Sequence, residues 1–450
     1  MSELANRSTP ELSELRQQAL RDFAAFRARQ LKLDMTRGKP SPEQLALSTA
    51  MLSLPGNRDT LTEQGEDARN YGGGSQGLPE ARALLADALG APIDQILVGN
   101  NSSLALMHDC IVFALLKGVP GGRGPWSEEK PISFLCPVPG YDRHFAICEE
   151  YDIRMIPVPL TGKGPDMDRV ESCIADPSVK GMWCVPQYSN PTGETYSNET
   201  VMRLGAMRAA APDFRLFWDN AYAVHHLTEN RHKVASILDA CAASGHADRP
   251  FVFASTSKIT FGGAGLGFFA SSPANMRWLV ARMSRRTIGP DKLNQLRHVR
   301  FLRDGEGVRK LMDQHRALLA PKFDAVAGAL AERLDGTGAA RWTRPDGGYF
   351  ITLDMSVGSA SRVVELAKEI GLALTPAGAT HPLGRDPDDR TLRIAPTNPP
   401  LAEVRLAAQG IALCVLLAAT EALLAKREGD AAPHTPELAN RRTKATAKAS

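Results

Sequence analysis

"PFVFASTSKITFGGAGLGFFA", residues 250–270, holds two apolar runs on either side of a lysine and a cluster of glycines. PFVFAS and GLGFFA are short, rich in phenylalanine and unbroken by charge. Such runs, bounded by small residues, read as strands covered on both faces. Lys258 stands between them, just after Ser255 and Ser257. An ammonium at so uncharged a turn has two readings. It is a solvated loop lysine, or it is an amine kept for chemistry, and the choice depends on what else gathers at that end of the strands.

Further apolar runs precede this stretch: QILVGN (95–100), PISFLCP (131–137), IRMIPVPL (153–160), GMWCVP (181–186) and FRLFWDN (214–220). Helical stretches separate them, which is the pattern of a mostly parallel α/β sheet. Residues 273–335 read as long basic helices, and a second unit follows with GGYFITLDM (347–355) and TLRIAPT (391–397) as strands. SRVVELAKEIG (361–371) and LAEVRLAAQGIALCVLLAATEALLAK (401–426) read as helices. The expected fold class is α/β, with a large mostly parallel-sheet domain and a smaller α+β domain. An N-terminal helix and turn (1–45) would pack with the small domain. The large domain would cover 46–300, an interdomain helix and the small domain 301–427, and a disordered, basic tail 428–450.

The length of 450 residues exceeds the ~250–300 that one hydrophobic core usually serves. With 43% hydrophobic and 23% charged residues the composition is that of an ordinary globular protein. A net charge of +3 argues for neither nucleic acid nor membrane as partner. Seven cysteines without a C-x-x-C pair fit reduced thiols, and the opening MSELANRSTPELSELRQQ has no apolar signal core. The run at 410–425 is short and carries Glu421, so it reads as a packed helix. A cytoplasmic location is expected.

In open parallel sheets ligands sit beyond the carboxyl ends of the strands. After ILV comes NNSSLALMHD, which puts Ser102 and Ser103 at a helix N-terminus, either as plain caps or as a seat for a phosphate. CPVPGYD presents Tyr141 on a rigid turn, as a half-buried aromatic or as a platform for a flat ring. QYSNPTG offers Asn190. LFWDNAY places Asp219 directly after an aromatic strand, where a carboxylate is costly without a positive partner, and Tyr222 lies three residues on. An anion seat, a ring platform, a buried carboxylate and a lysine are together what pyridoxal 5′-phosphate requires. Ser102 and Ser103 would hold its phosphate, with Ser255 and Ser257 on the far side. Asp219 would keep the pyridine nitrogen protonated, Asn190 and Tyr222 would hydrogen-bond the ring oxygen, and Lys258 would carry the aldehyde covalently.

NYGGGSQGLPEAR, SNPTG, WDNAY, STSK and DGGYF, in that order, resemble the class I aminotransferases of fold type I, with likeness running from TRGKP to LRIAPT. DMTRGKPSPEQLALS and RTIGPDKLNQLRHVRFLRD are similar to a divergent bacterial subgroup of aspartate aminotransferases. The resemblance implies that Gly38 lines the substrate pocket and that Arg393 grips the substrate α-carboxylate. It implies that Tyr71 reaches the phosphate of a neighbouring subunit, hence a homodimer with shared active sites. The family usually carries an arginine for the phosphate shortly after the lysine, where this chain reads Gly265-Leu266-Gly267. Either the phosphate cradle is electrically poorer, or a positive charge arrives from Arg285, Arg286, Lys292 or Arg297; the same segment, or Arg37 and Lys39, would instead serve a distal carboxylate.

The expected activity is transfer of the amino group of L-aspartate to 2-oxoglutarate, with amino acids and 2-oxo acids as substrates. On the same fold stand a transaminase for aromatic or other amino acids and a lyase or decarboxylase. A cofactor-sensing transcription regulator would need a DNA-binding segment for which no stretch is left over. A nucleotide-binding loop would place its glycines before the lysine rather than after it.

Overall fold

The computed structural model describes residues 3–72 and 74–431. All seven apolar runs of the large unit form one sheet: β1 (Ile96–Val98), β2 (Ser133–Val138), β3 (Arg154–Pro159), β4 (Val179–Cys184), β5 (Arg215–Asp219), β6 (Pro250–Ser255) and β7 (Gly267–Ala270). Their spatial order is β1-β7-β6-β5-β4-β2-β3. Every neighbouring pair is parallel except the two that involve β7, which runs antiparallel to both β1 and β6.

Successive side chains on a strand point to opposite faces. Leu216 and Trp218 enter one apolar cluster with Met182 and Val252, while Phe217 enters another with Phe134, Trp183 and Phe251. Both faces are covered, and for that reason these strands read as unbroken apolar runs rather than alternating ones.

Many of the helices start on Ser or Asp caps, which satisfy backbone N–H groups left free by the first turn. The helices needed below are α1 (Thr9–Ala28), α2 (Ser103–Lys117), α3 (Asp142–Glu150), α4 (Lys292–Leu302), α5 (Gly305–Leu334) and α6 (Leu401–Ala431). The small unit carries an antiparallel sheet of β8 (Ala340–Trp342), β9 (Ile351–Met355) and β10 (Thr391–Ile394), with β9 central. α1, α5 and α6 share its core through Phe23, Phe26, Val326, Leu330, Ala408 and Val415. Strand β8 and a short parallel ladder joining Leu33–Asp34 to Leu372–Ala373 are additions that the sequence pattern does not signal. Two or three residues give too little periodicity to register.

The boundary expected at 300 falls in the last turn of α4, and that at 45 falls inside the helix Pro42–Ala46. α6 runs to Ala431, past the point at 428 where the tail was expected to begin, and 432–450 lie outside the described residues. The helix Leu401–Glu428 is long and apolar enough to cross a membrane by length and composition, which corrects the reading of 410–425 as too short. It is packed inside the molecule, with 72% of its most apolar window buried.

Leu417 of α6 is fully buried in this core. Truncation of such a leucine costs about 2–5 kcal/mol. Leu417→Ala is therefore expected to lower the midpoint of thermal unfolding, measured by circular dichroism, by several degrees.

Candidate active site

Chain direction brings the carboxyl ends of β1, β2, β4, β5 and β6 to one edge of the sheet. There Ser102, Ser103, Tyr141, Asn190, Asp219, Tyr222, Ser255, Ser257 and Lys258 line a single cavity of about 150 Å³. Nine residues singled out from the sequence thus meet in one place. Leu104, Met107, Val185 and Ala221 complete its wall.

One side is the start of α2. Ser102 caps it, accepting from the Ala105 N–H. β7 runs against this turn: the Gly267 N–H donates to the Asn100 carbonyl, and the Gly99 N–H donates back to Gly267. A Cβ on Gly267 would lie 2.6 Å from the Ser102 carbonyl oxygen, so only glycine permits this approach. The Ser257 hydroxyl donates to the Asn101 carbonyl at 3.3 Å, tying the lysine turn to the same loop.

The lysine turn is fixed from behind. The Ile259 and Thr260 N–H groups donate to the Thr256 carbonyl, and the Thr256 hydroxyl accepts from the Leu266 N–H. His298 Nδ1 donates to the Asn294 carbonyl, which leaves Nε2 to accept from the Thr260 hydroxyl at 2.9 Å. His315 Nε2 donates to the Ile259 carbonyl, and its Nδ1 accepts from Gln44 Nε2. Gln44 Nε2 also donates to the Tyr349 hydroxyl, which donates in turn to the Lys258 carbonyl. Lys258 Nζ lies 4.8 Å from the centre of the Tyr222 ring and 5.9 Å from that of Tyr349.

Asp219 ends β5 and is 5% exposed. His144 Nε2, itself buried, donates to Oδ2 at 3.2 Å, and the imidazole stacks on Trp183 at 4.4 Å. Asp219 Oδ1 is buried without a hydrogen-bond partner among the described residues, as is Asn190 Oδ1. An orphaned buried acceptor costs about 1–3 kcal/mol, more when charged. A cationic ring N–H would relieve it. Together with a helix N-terminus flanked by hydroxyls and an amine on the same cavity, this donor set fits pyridoxal 5′-phosphate. Burial pushes the Tyr141 hydroxyl up to about 12 and raises that of Tyr222 as well, so both remain neutral phenols.

Arg393 and Gly38 are not on the cavity wall but lie close by. The Arg393 guanidinium covers the Phe350 ring at 5.1 Å and donates to Asp142, the residue after Tyr141. A Cβ on Gly38 would overlap that same Phe350 ring. Tyr71 stands apart, 79% exposed on a surface loop. Of the basic candidates none lines the cavity. Arg286 pairs with Asp109, Lys292 Nζ donates to the Gly72 carbonyl, Arg297 donates to the Leu54 carbonyl, and Arg285, Arg37 and Lys39 are exposed. Lys258 is the one cation among the described lining residues.

Sequence reasoning missed His144, Asp142, Tyr349, Gln44 and His315. For His144 a signal existed: it stands three residues after Tyr141, on the same face of a helical first turn. Gln44 and His315 act on the lysine turn from far along the chain, and nothing local marks them.

Fold and site define a transferase of fold type I, the pyridoxal-phosphate class. The crystal structure of an aspartate transaminase from Corynebacterium glutamicum matches with a TM-score of 0.91 and 48% identity, covering 94% of this chain and 99% of that one. The chain belongs to the aspartate amino-transferase family, whose model matches residues 7–427, and it is an aminotransferase. An aspartate aminotransferase of Corynebacterium glutamicum is 50% identical over 401 residues, covering 89% of this chain and 93% of its relative. LysN, the α-aminoadipate aminotransferase of Thermus thermophilus, solved with N-(5′-phosphopyridoxyl)-L-leucine, shares the fold at a TM-score of 0.70 and 20% identity, covering 91% of this chain and 95% of that one.

The histidines behind the lysine turn carry a pH signature. Burial lowers both His298 and His315 from 6.5 to about 4. Between those values the unfolded chain binds protons that the folded one refuses, so stability is full above pH 6.5 and falls as pH drops through the window. The unfolding midpoint is expected to decline between pH 6.5 and 4.5. Replacing both histidines with glutamine should make that decline shallower, the remainder coming from His225, His226 and His381, which burial also lowers, and an unaltered slope in the double variant would refute the assignment.

Proposed function

We propose that the protein uses pyridoxal 5′-phosphate to move the amino group of L-aspartate to 2-oxoglutarate, giving oxaloacetate and L-glutamate. The observation that carries this reading is the pairing, in one cavity, of the Lys258 amine with the unpartnered buried oxygen of Asp219. The names of the two Corynebacterium glutamicum relatives support the substrate pair.

When bound, the cofactor supplies an aldehyde that an amine can join and a protonated ring that accepts electrons from the substrate Cα. Ser102 and Ser103, at the N-terminus of α2, would hold the phosphate, with the hydroxyls of Ser255 and Ser257 closing the far side. Asp219 would accept from the ring nitrogen through Oδ1, while His144 holds Oδ2 and so fixes the carboxylate's rotation. Tyr141 would cover the ring, and Asn190 and Tyr222 would donate to its phenolic oxygen. Lys258 Nζ would hold the aldehyde between turnovers and, once the substrate amine displaces it, take the proton from the substrate Cα. Arg393 would grip the α-carboxylate as a fork, with Gly38 on the wall of the substrate pocket. In this reading the protein works as a cytoplasmic homodimer with shared sites, in which exposed Tyr71 reaches the second copy's phosphate.

Two measurements test this. Lys258→Ala is expected to abolish transamination and the visible absorbance of the lysine-bound cofactor, while the fold persists by circular dichroism. Full turnover in that variant would end the reading. Across an amino-acid panel, aspartate should give the highest kcat/KM with 2-oxoglutarate. An aromatic amino acid ahead of it, or loss of carbon dioxide in place of amino transfer, would select one of the rival outcomes on the same fold.

A further inference from the structure

Arg393 meets a carboxylate of its own chain. Its Nη1 donates to Asp142 Oδ1 at 2.9 Å, with the guanidinium side chain only 10% exposed and Asp142 39% exposed. Arg393 Nε is buried without a partner among the described residues. A guanidinium is planar and offers carboxylates two bidentate edges, an end-on edge of Nη1 with Nη2 and a side-on edge of Nε with Nη2. Asp142 engages Nη1 alone, a nitrogen of the end-on edge. Nε and Nη2 make no hydrogen bond among the described residues, and of the two Nε is buried.

Two contacts then fix the group completely. Phe350, 5.1 Å beneath the guanidinium, removes its tilt. Asp142 removes its rotation within the plane. Asp142 is in turn the first residue of α3, where a carboxylate is favoured by the helix dipole and has no need to leave.

We infer that Asp142 is a positioning residue that holds the Arg393 guanidinium, through Nη1, in the orientation that meets the substrate α-carboxylate. This rests on the reading of Arg393 as the carboxylate grip. Asp142 directly follows Tyr141, so the turn after β2 sets both the ring platform and the carboxylate fork. The opposite reading, in which Asp142 merely holds the substrate's place and is displaced, predicts the opposite sign on binding.

The test compares Asp142→Ala, Asp142→Asn and Arg393→Ala in the cofactor-loaded enzyme. Loss of one charge-assisted hydrogen bond corresponds to a factor of about ten or more. For Asp142→Ala the KM of both the amino acid and the 2-oxo acid should rise by about tenfold, with kcat within about twofold. Asp142→Asn, whose amide oxygen still accepts from Nη1, should recover part of the loss. Succinate, a carboxylate that cannot react, should bind correspondingly more weakly by absorbance titration, with the cofactor spectrum unchanged. If Arg393→Ala raises KM while both Asp142 variants leave it unchanged or lower it, the positioning role is wrong and the grip stands. If Arg393→Ala leaves KM unchanged, the grip itself is wrong. If Asp142→Ala does not fold, the sign for Asp142→Asn decides.

Discussion

A carboxylate buried at the end of an apolar strand is the constraint around which this molecule is arranged. Asp219 follows Leu216, Phe217 and Trp218, all buried, and its own side chain has almost no contact with solvent. One oxygen takes a hydrogen bond from His144; the other has none among the described residues. Left so, the group opposes folding, since a desolvated charge must find a partner. The parallel pairing of β5 with β6 puts Asp219 opposite Phe253, and three residues after β6 ends the chain presents Lys258 to the same cavity. The sheet therefore gathers an acid and an amine while leaving room between them for a third group. That cost is intelligible if the missing partner is a cationic ring nitrogen.

Six of the seven strands were legible because burial on both faces leaves an unmistakable mark, β3 at the sheet edge being only partly buried, and the residues just beyond the strands were legible because topology sends them all to one edge. Asp219 ends a strand, and Ser102, Tyr141, Asn190 and Lys258 lie in the short turns that follow one. The unread parts are contacts across long chain separations. Arg393 meets Asp142 over 251 residues, and Gln44 meets Tyr349 over 305. No periodicity encodes such a pair, because each side chain alone suits many environments. The basic segment shows the converse. Arg285, Arg286, Lys292 and Arg297 crowd together in sequence, yet helical geometry spreads them to a solvent face, Asp109, Gly72 and Leu54.

Charge is sparse in the cavity. Gly265, Leu266 and Gly267 stand where relatives of the family were expected to carry an arginine, and the structure gives a reason for the last of these. Gly267 must be side-chain-free to let β7 lie against the Ser102–Ser103 turn. Backbone lies against backbone at this corner and leaves no room for a side chain on Gly267. In the proposed role the phosphate is held by N–H groups, a helix dipole and hydroxyls, which are short, fixed and cost little entropy to order.

The lysine turn and the arginine fork are both steadied from the small unit. Tyr349 and Phe350 are consecutive residues at the entry to β9: the first donates to the Lys258 carbonyl, the second lies under Arg393. Gln44 and Gly38, from the segment that follows α1, back the same two rings, one by a hydrogen bond and one by having no side chain. Any shift of the small unit against the sheet would therefore move Tyr349 and Phe350 together. Lys258 and Arg393 would shift in concert, so the spacing between them is tied to one dipeptide rather than to two independent loops.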